Sequence, residues 1–188
     1  MILSINELYR ILKIEEGLYL KSFFLSRFIN TFLKLENTIL YKFVKLMRII
    51  GYFATNKNRN ILYRLIYLCC LREYNSKCLK YGLLIGEGCF GEGLLIYHTG
   101  NIVVNGKCRI GKNCRLHGSN CIGNSKYDTD CPTLGDNVSL GVGAKVFGKI
   151  FIADDVTISA GAVVTKSCYE KGVILAGIPA KIIGKKHV

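Results

Sequence analysis

The chain has 188 residues, half of them apolar, and its 26 lysines and arginines against 13 acids leave a formal charge of +13. That size and apolar content suit one domain with a smaller appendage and argue against disorder. The positive excess lies mostly in residues 1 to 80, where 14 basic residues face 5 acidic ones; it fits anionic lipid, nucleic acid or a phosphate-bearing substrate without choosing between them.

The nine cysteines are odd in number and form no Cys-x-x-Cys pair. The opening MILSINELYR lacks a charged segment followed by an apolar one, so a reduced, cytoplasmic protein is expected. The longest nearly apolar run, Ile61 to Leu71, is broken by Arg64 and is short of the roughly 20 residues a spanning helix needs.

From about Ser4 to Lys80 the apolar residues recur at helical spacing, as in Phe24, Phe28 and Phe32 beside Leu25, Ile29 and Leu33, and again at Leu40, Val44 and Met47. Glycine occurs there only at Gly17 and Gly51. The pattern predicts two or three helices over residues 1 to 80, interrupted near Gly17 and around Thr55 to Arg59.

From Gly82 the spacing changes to six. Leu84, Phe90, Ile96 and Ile102 form one series, Val104, Ile110, Leu116 and Ile122 a second, and Leu134, Leu140, Val146, Ile152, Ile158 and Val164 a third. Two positions before many of these stand Cys108, Cys114, Val138, Ala144, Val156 and Ala162; directly after several stand Gly111, Gly123, Gly135 and Gly141. A strand and a tight corner every six residues, three to a turn, make a triangular prism. The large aliphatics fill its interior, the small residues fit near the corners, and glycine or Asp/Asn supplies the corner backbone. The prediction is a mainly β protein, a parallel β-helix over residues 81 to 188 behind an α-helical region. Asp128 falls on an inward position, where an unpaired carboxylate would be costly, so Asn124 to Pro132 is expected to leave the prism as a loop.

The closing stretch SAGAVVTKSCYEKGVILAGIPAKIIG resembles the last coil and tail of hexapeptide-repeat acyltransferases, which are left-handed β-helices. GLLIYHTGNIVVNGKCRIGKNC resembles the catalytic segment of serine O-acetyltransferases and of related acetyltransferases encoded with surface-polysaccharide genes. The resemblance covers about residues 80 to 188 and implies acetyl-CoA as donor, no metal, and His98 as the base that deprotonates an acceptor hydroxyl. It also implies a homotrimer with sites between subunits, and a possible pairing of trimers through the helices. For the donor, it points to Ala144 and Ala160 along the pantetheine arm and to Thr165, Lys166 and Lys181, with Lys185 and Lys186, at the phosphates.

Three positions depart from the serine-enzyme pattern. Tyr97 stands where a carboxylate commonly precedes the histidine, Leu83 where an aspartate is expected, and Cys131 where a second histidine precedes a proline. The partner of His98 is thus unassigned, with Glu92, Asp128 and Asp130 as candidates. His117 lies about one prism turn from His98, His187 is penultimate, and Cys108 and Cys114 read as packing residues. The departures favour a sugar hydroxyl of a capsule, exopolysaccharide or lipopolysaccharide as acceptor, with Tyr97 against the sugar face and peripheral contact of the basic helices with the inner membrane face. Nucleic acid is not an expected partner. Serine O-acetylation for cysteine synthesis is the alternative. A non-catalytic β-helix assembly module is a further one, and a zinc anhydrase is disfavoured because only His98 and His117 lie on the prism.

Overall fold

The computed structural model describes residues 2–20 and 24–185, and of residues 24–27 only the backbone. Among the described residues four helices come first: α1 (Ile5–Tyr19), α2 (Phe24–Phe32), α3 (Glu36–Asn56) and α4 (Ile61–Tyr81). The expected break near Gly17 comes two residues beyond it, where α1 ends at Tyr19, and a further break between Phe32 and Glu36 gives one more helix than the pattern suggested. Ser4 caps α1 by accepting from the Glu7 N–H, and Asn60 caps α4 by accepting from the Tyr63 N–H. Gly82 ends α4 at φ +66, and a Cβ there would stand 2.8 Å from the Asn101 nitrogen, so only glycine lets the chain turn from helix into prism. Among the described residues no helix is long and apolar enough to cross a membrane.

Fourteen strands follow among the described residues: β1 (Leu83–Ile85), β2 (Leu95–Ile96), β3 (Ile102–Val104), β4 (Arg109–Ile110), β5 (Arg115–Leu116), β6 (Cys121–Gly123), β7 (Thr133–Leu134), β8 (Ser139–Leu140), β9 (Lys145–Phe147), β10 (Phe151–Ile152), β11 (Thr157–Ile158), β12 (Val163–Val164), β13 (Val173–Gly177) and β14 (Ala180–Lys185). They stack as three sheets forming the sides of a prism. The first runs β1-β3-β6-β9-β12, the second β4-β7-β10, and the third β2-β5-β8-β11-β13 with β14 added at its edge. Every pairing is parallel except β13 with β14.

Phe90, Ile96, Ile110, Leu116, Ile122, Leu134, Leu140, Val146, Ile152, Ile158 and Val164 all point inward and are buried. Each large aliphatic so buried stabilises the fold by about 1.5–3 kcal/mol. The first coil differs from expectation. Leu83 and Ile85 point in while Leu84 is half exposed, because Leu83 pairs with Ile102 and Ile85 with Val104. At the corner between second and third sheets, Asn113, Asn137 and Asp155 take positive φ and hydrogen-bond in a ladder at 3.0 and 2.9 Å.

The helices close the open end of the prism. The first coil has backbone groups with no strand above them, and side chains take that place on all three sides. Over the first sheet, the Tyr74 hydroxyl of α4 donates to the Ile85 carbonyl at 2.6 Å. Over the second, Arg48 of α3 donates to the carbonyls of Phe90 and Gly91 at 2.8 and 2.6 Å. Over the third, Glu15 of α1 accepts from the Leu94 N–H and the Tyr19 hydroxyl accepts from the Ile96 N–H at 2.7 Å. Glu15 and Arg48 are themselves paired at 2.6 Å in the interior. Burial raises the Glu15 carboxyl above its ordinary range while Arg48 pulls it back. Leu40, Phe43, Val44, Met47 and Ile50 extend the prism core into the helices, with the Phe43 and Tyr74 rings stacked at 5.1 Å.

Candidate active site

His98 stands where the first coil turns from the third sheet into the first. The backbone below it is cut away at Gly118, which takes φ +118 and whose added Cβ would lie 3.6 Å from the His98 Cβ. Buried Asn120 holds that turn: its amide oxygen accepts from the Gly118 N–H at 3.0 Å and its NH₂ donates to the Gly141 carbonyl at 2.7 Å. The His98 ring faces outward with 65% of its side chain exposed.

The first residue of α3 reaches this corner. Glu36 accepts from the Thr99 N–H at 2.7 Å and the Thr99 hydroxyl at 3.0 Å, and its other oxygen lies 3.3 Å from His98 Nδ1. The Thr99 N–H, aided by His98, holds the Glu36 carboxyl below the usual carboxylate range against some desolvation. Sequence reasoning left this partner unassigned, since 62 residues separate the pair and no local spacing connects them. The Asp/Glu at the start of a helix was the available signal.

The sequence candidates for that role are occupied elsewhere. Glu92 sits at the opposite corner, paired with Arg10 at 2.5 Å and Lys112 at 3.2 Å. Asp128 pairs with Lys107, and Asp130 accepts from the Tyr127 N–H within the loop between first and second sheets. Within one chain this loop and Cys131 stand at a different corner from His98. Leu83 is fully buried inside the prism, so its side chain takes no part in the outer surface.

Tyr97 stacks on His117 one coil below, ring centroids 4.3 Å apart and planes 13° off parallel. The register of Ile96 on Leu116 puts one ring above the other. Burial first, then Arg115 and His98, holds the His117 imidazole below its ordinary value. Residues on either side of an inward aliphatic point out, so this face presents Leu95 and Tyr97, Arg115 and His117, Ser139, Thr157 and Ser159. Among these outward residues Arg115 is the one Lys or Arg.

Among the donor candidates, Ala144 is fully buried and so does not line an outer groove; its position two before Val146 is one of the small interior sites. Ala160 is exposed at the corner between third and first sheets, the same corner type as His98. Lys166 and Lys181 come together on a cavity of about 390 Å³ with Tyr169 and Ile182, and Thr165 is exposed beside it. Lys185 pairs with Glu170 at 2.8 Å. Lys186 and His187 lie outside the described residues. Among the described residues no cluster of three or more His, Cys, Asp or Glu is placed to hold a metal.

No protein-family model matches the chain. Over 97 residues it is 40% identical to a serine acetyltransferase of Helicobacter pylori strain J99, covering 50% of this chain and 56% of that one. The chain spans about half the length of the curated relatives it matches. In fold it is similar to the crystal structure of Neisseria gonorrhoeae serine acetyltransferase, with a TM-score of 0.73 and 21% identity over 98% of this chain and 69% of that one. It is also similar to a serine acetyltransferase solved in complex with CoA, with a TM-score of 0.63 and 22% identity over 77% of this chain and 57% of that one. The resemblance to hexapeptide-repeat acetyltransferases holds, and the architecture is the left-handed β-helix behind a helical region.

The same comparisons overturn the expectation of a polysaccharide acceptor, since the relatives are serine acetyltransferases. That expectation rested on absent charged groups at Leu83, Tyr97 and Cys131. Position 83 lies inside the prism, and a carboxylate does reach His98, from Glu36.

Proposed function

We propose that this chain is a serine O-acetyltransferase that takes acetyl from acetyl-CoA, with His98 as general base and Glu36 as its positioning residue. The observation that carries the reading is the Glu36–His98–Thr99 cluster, on a β-helix similar in sequence to serine acetyltransferases. His98 Nδ1 lies 3.3 Å from the Glu36 carboxylate; we assign the proton to Nδ1, which leaves the Nε2 lone pair free for the acceptor hydroxyl. Nε2 takes the proton of the serine hydroxyl as its oxygen attacks the thioester carbonyl. When the C–S bond breaks, the imidazolium returns that proton to the departing thiolate.

The zwitterion also needs partners. Arg115 is our assignment for the carboxylate, as the cation on the outward face beside Tyr97 and His117, and Glu36, beside His98, is our assignment for the ammonium. Ala160 would border the pantetheine arm, and Lys166 and Lys181, with Thr165, would meet the phosphates. The exposed His98 needs a second wall to exclude water, which we assign to the neighbouring copy in a homotrimer.

The test is release of free coenzyme A from acetyl-CoA with L-serine and with oligosaccharides. The expectation is saturable, serine-dependent release with kcat/KM of about 10⁴ M⁻¹s⁻¹ or above. No serine-dependent release would overturn the reading, and a fully active monomer in sedimentation would overturn the shared site.

A further inference from the structure

The basic excess of the helical region gathers at one place. Lys34, Lys42, Lys77 and Lys80 line a single cavity of about 320 Å³ between α2, α3 and α4, together with Thr31, Thr38, Ile39 and Tyr81. Among these lysines, Lys77 has a described acidic partner, Glu73 of its own helix at 2.7 Å. Lys80 lies over the Tyr81 ring at 5.7 Å, and Lys34 and Lys42 are exposed.

Four lysines around one small cavity repel each other. A tetrahedral oxyanion relieves that repulsion, since its several oxygens accept from mobile ammonium groups together.

We propose that this cleft binds the phosphate group of a small phosphate-bearing anion. The cavity falls in the volume range of small-molecule sites. Its walls are shared with the supports of the candidate active site. Thr38 is two residues beyond Glu36 on α3, and the Tyr81 carbonyl accepts from the Gly100 N–H at 2.9 Å, two residues beyond His98. An anion that draws α2, α3 and α4 together therefore steadies both ends of the loop that carries His98.

The phosphate has two sources to separate, a free phosphate or phosphomonoester and the phosphate end of coenzyme A, the latter of which would displace the assignment of those phosphates to Lys166 and Lys181. The test is isothermal calorimetry on the full chain at fixed ionic strength, with inorganic phosphate and with adenosine 3′,5′-bisphosphate as probes. The expected result is saturable binding, weakened roughly fivefold or more by Lys42→Gln and retained by Lys42→Arg. Competition by acetyl-CoA would assign the site to the coenzyme, and its absence to a free anion. The readout is binding, so it stands apart from acetyl transfer. No saturable heat up to about 10 mM phosphate, or affinity untouched by Lys42→Gln, would overturn the proposal.

Discussion

Replacing Glu36 by alanine removes three contacts at once, to the Thr99 N–H, the Thr99 hydroxyl and His98 Nδ1. The carboxylate is 43% exposed, so its charge-assisted bonds are worth less than buried ones, and we expect a stability loss of about 1–2 kcal/mol. For a chain of this size that lowers Tm by about 2–8 °C. The effect on turnover has two sources. An exposed imidazole freed of its partner spreads over roughly six rotamer combinations, which dilutes the productive one about sixfold. The carboxylate also stabilises the imidazolium, by about 1 kcal/mol at solvent dielectric, or another fivefold. Together these predict that kcat falls about thirtyfold, with KM for acetyl-CoA little changed. Glu36→Gln keeps the shape and loses the charge, so it should show the roughly fivefold part alone. Glu36 has a depressed pKa, so its contribution to stability is present above the ordinary value of 4.5 and is lost as pH falls through the lower folded value. The Tm gap between wild type and Glu36→Ala should therefore be full at pH 7 and close in acid. If Glu36→Ala kept turnover within about twofold while Tm fell, the tether would be structural and the positioning role wrong.

His98→Ala should lower kcat by roughly 10² to 10⁴ and leave coenzyme A affinity, read by calorimetry, nearly intact. Arg48→Met strands the Glu15 carboxylate in the interior and should destabilise the protein by about 3–5 kcal/mol in urea titrations; a loss below about 1 kcal/mol would mean that water reaches Glu15. Arg115→Met should raise KM for L-serine about tenfold or more while leaving L-serinamide, which lacks the carboxylate, unaffected; equal effects on both would remove Arg115 from the acceptor site.

The prism was legible because stacking every six residues leaves a spacing that neither helix nor alternating strand produces, and Phe90 through Val164 follow it inward. Leu84 misled because the first coil has no coil above it, and its register is set by pairing with β3 alone. Ala144 was read as groove lining although its place two before Val146 already made it a small interior residue. Glu36 was hidden for a different reason. Its contact to His98 depends on how α3 docks on the prism end, and sequence spacing carries nothing across such a distance. Glu92 carried the same residue type nearer in sequence, but Arg10 and Lys112 hold it at another corner.

A stack of identical coils melts from its ends, and His98 closes the outermost coil. Left bare, that coil would be the first to fray, and its exposed edge would be a template for pairing with another chain. The hydroxyls of Tyr19 and Tyr74 and the charges of Glu15 and Arg48 instead tie its backbone to three helices, so the coil bearing the histidine opens only when helices let go. Amide exchange should therefore be slow at Leu94 and Ile96 and speed up sharply once the helical plug is loosened, making the end of the solenoid, usually its weakest repeat, a rigid seat for chemistry.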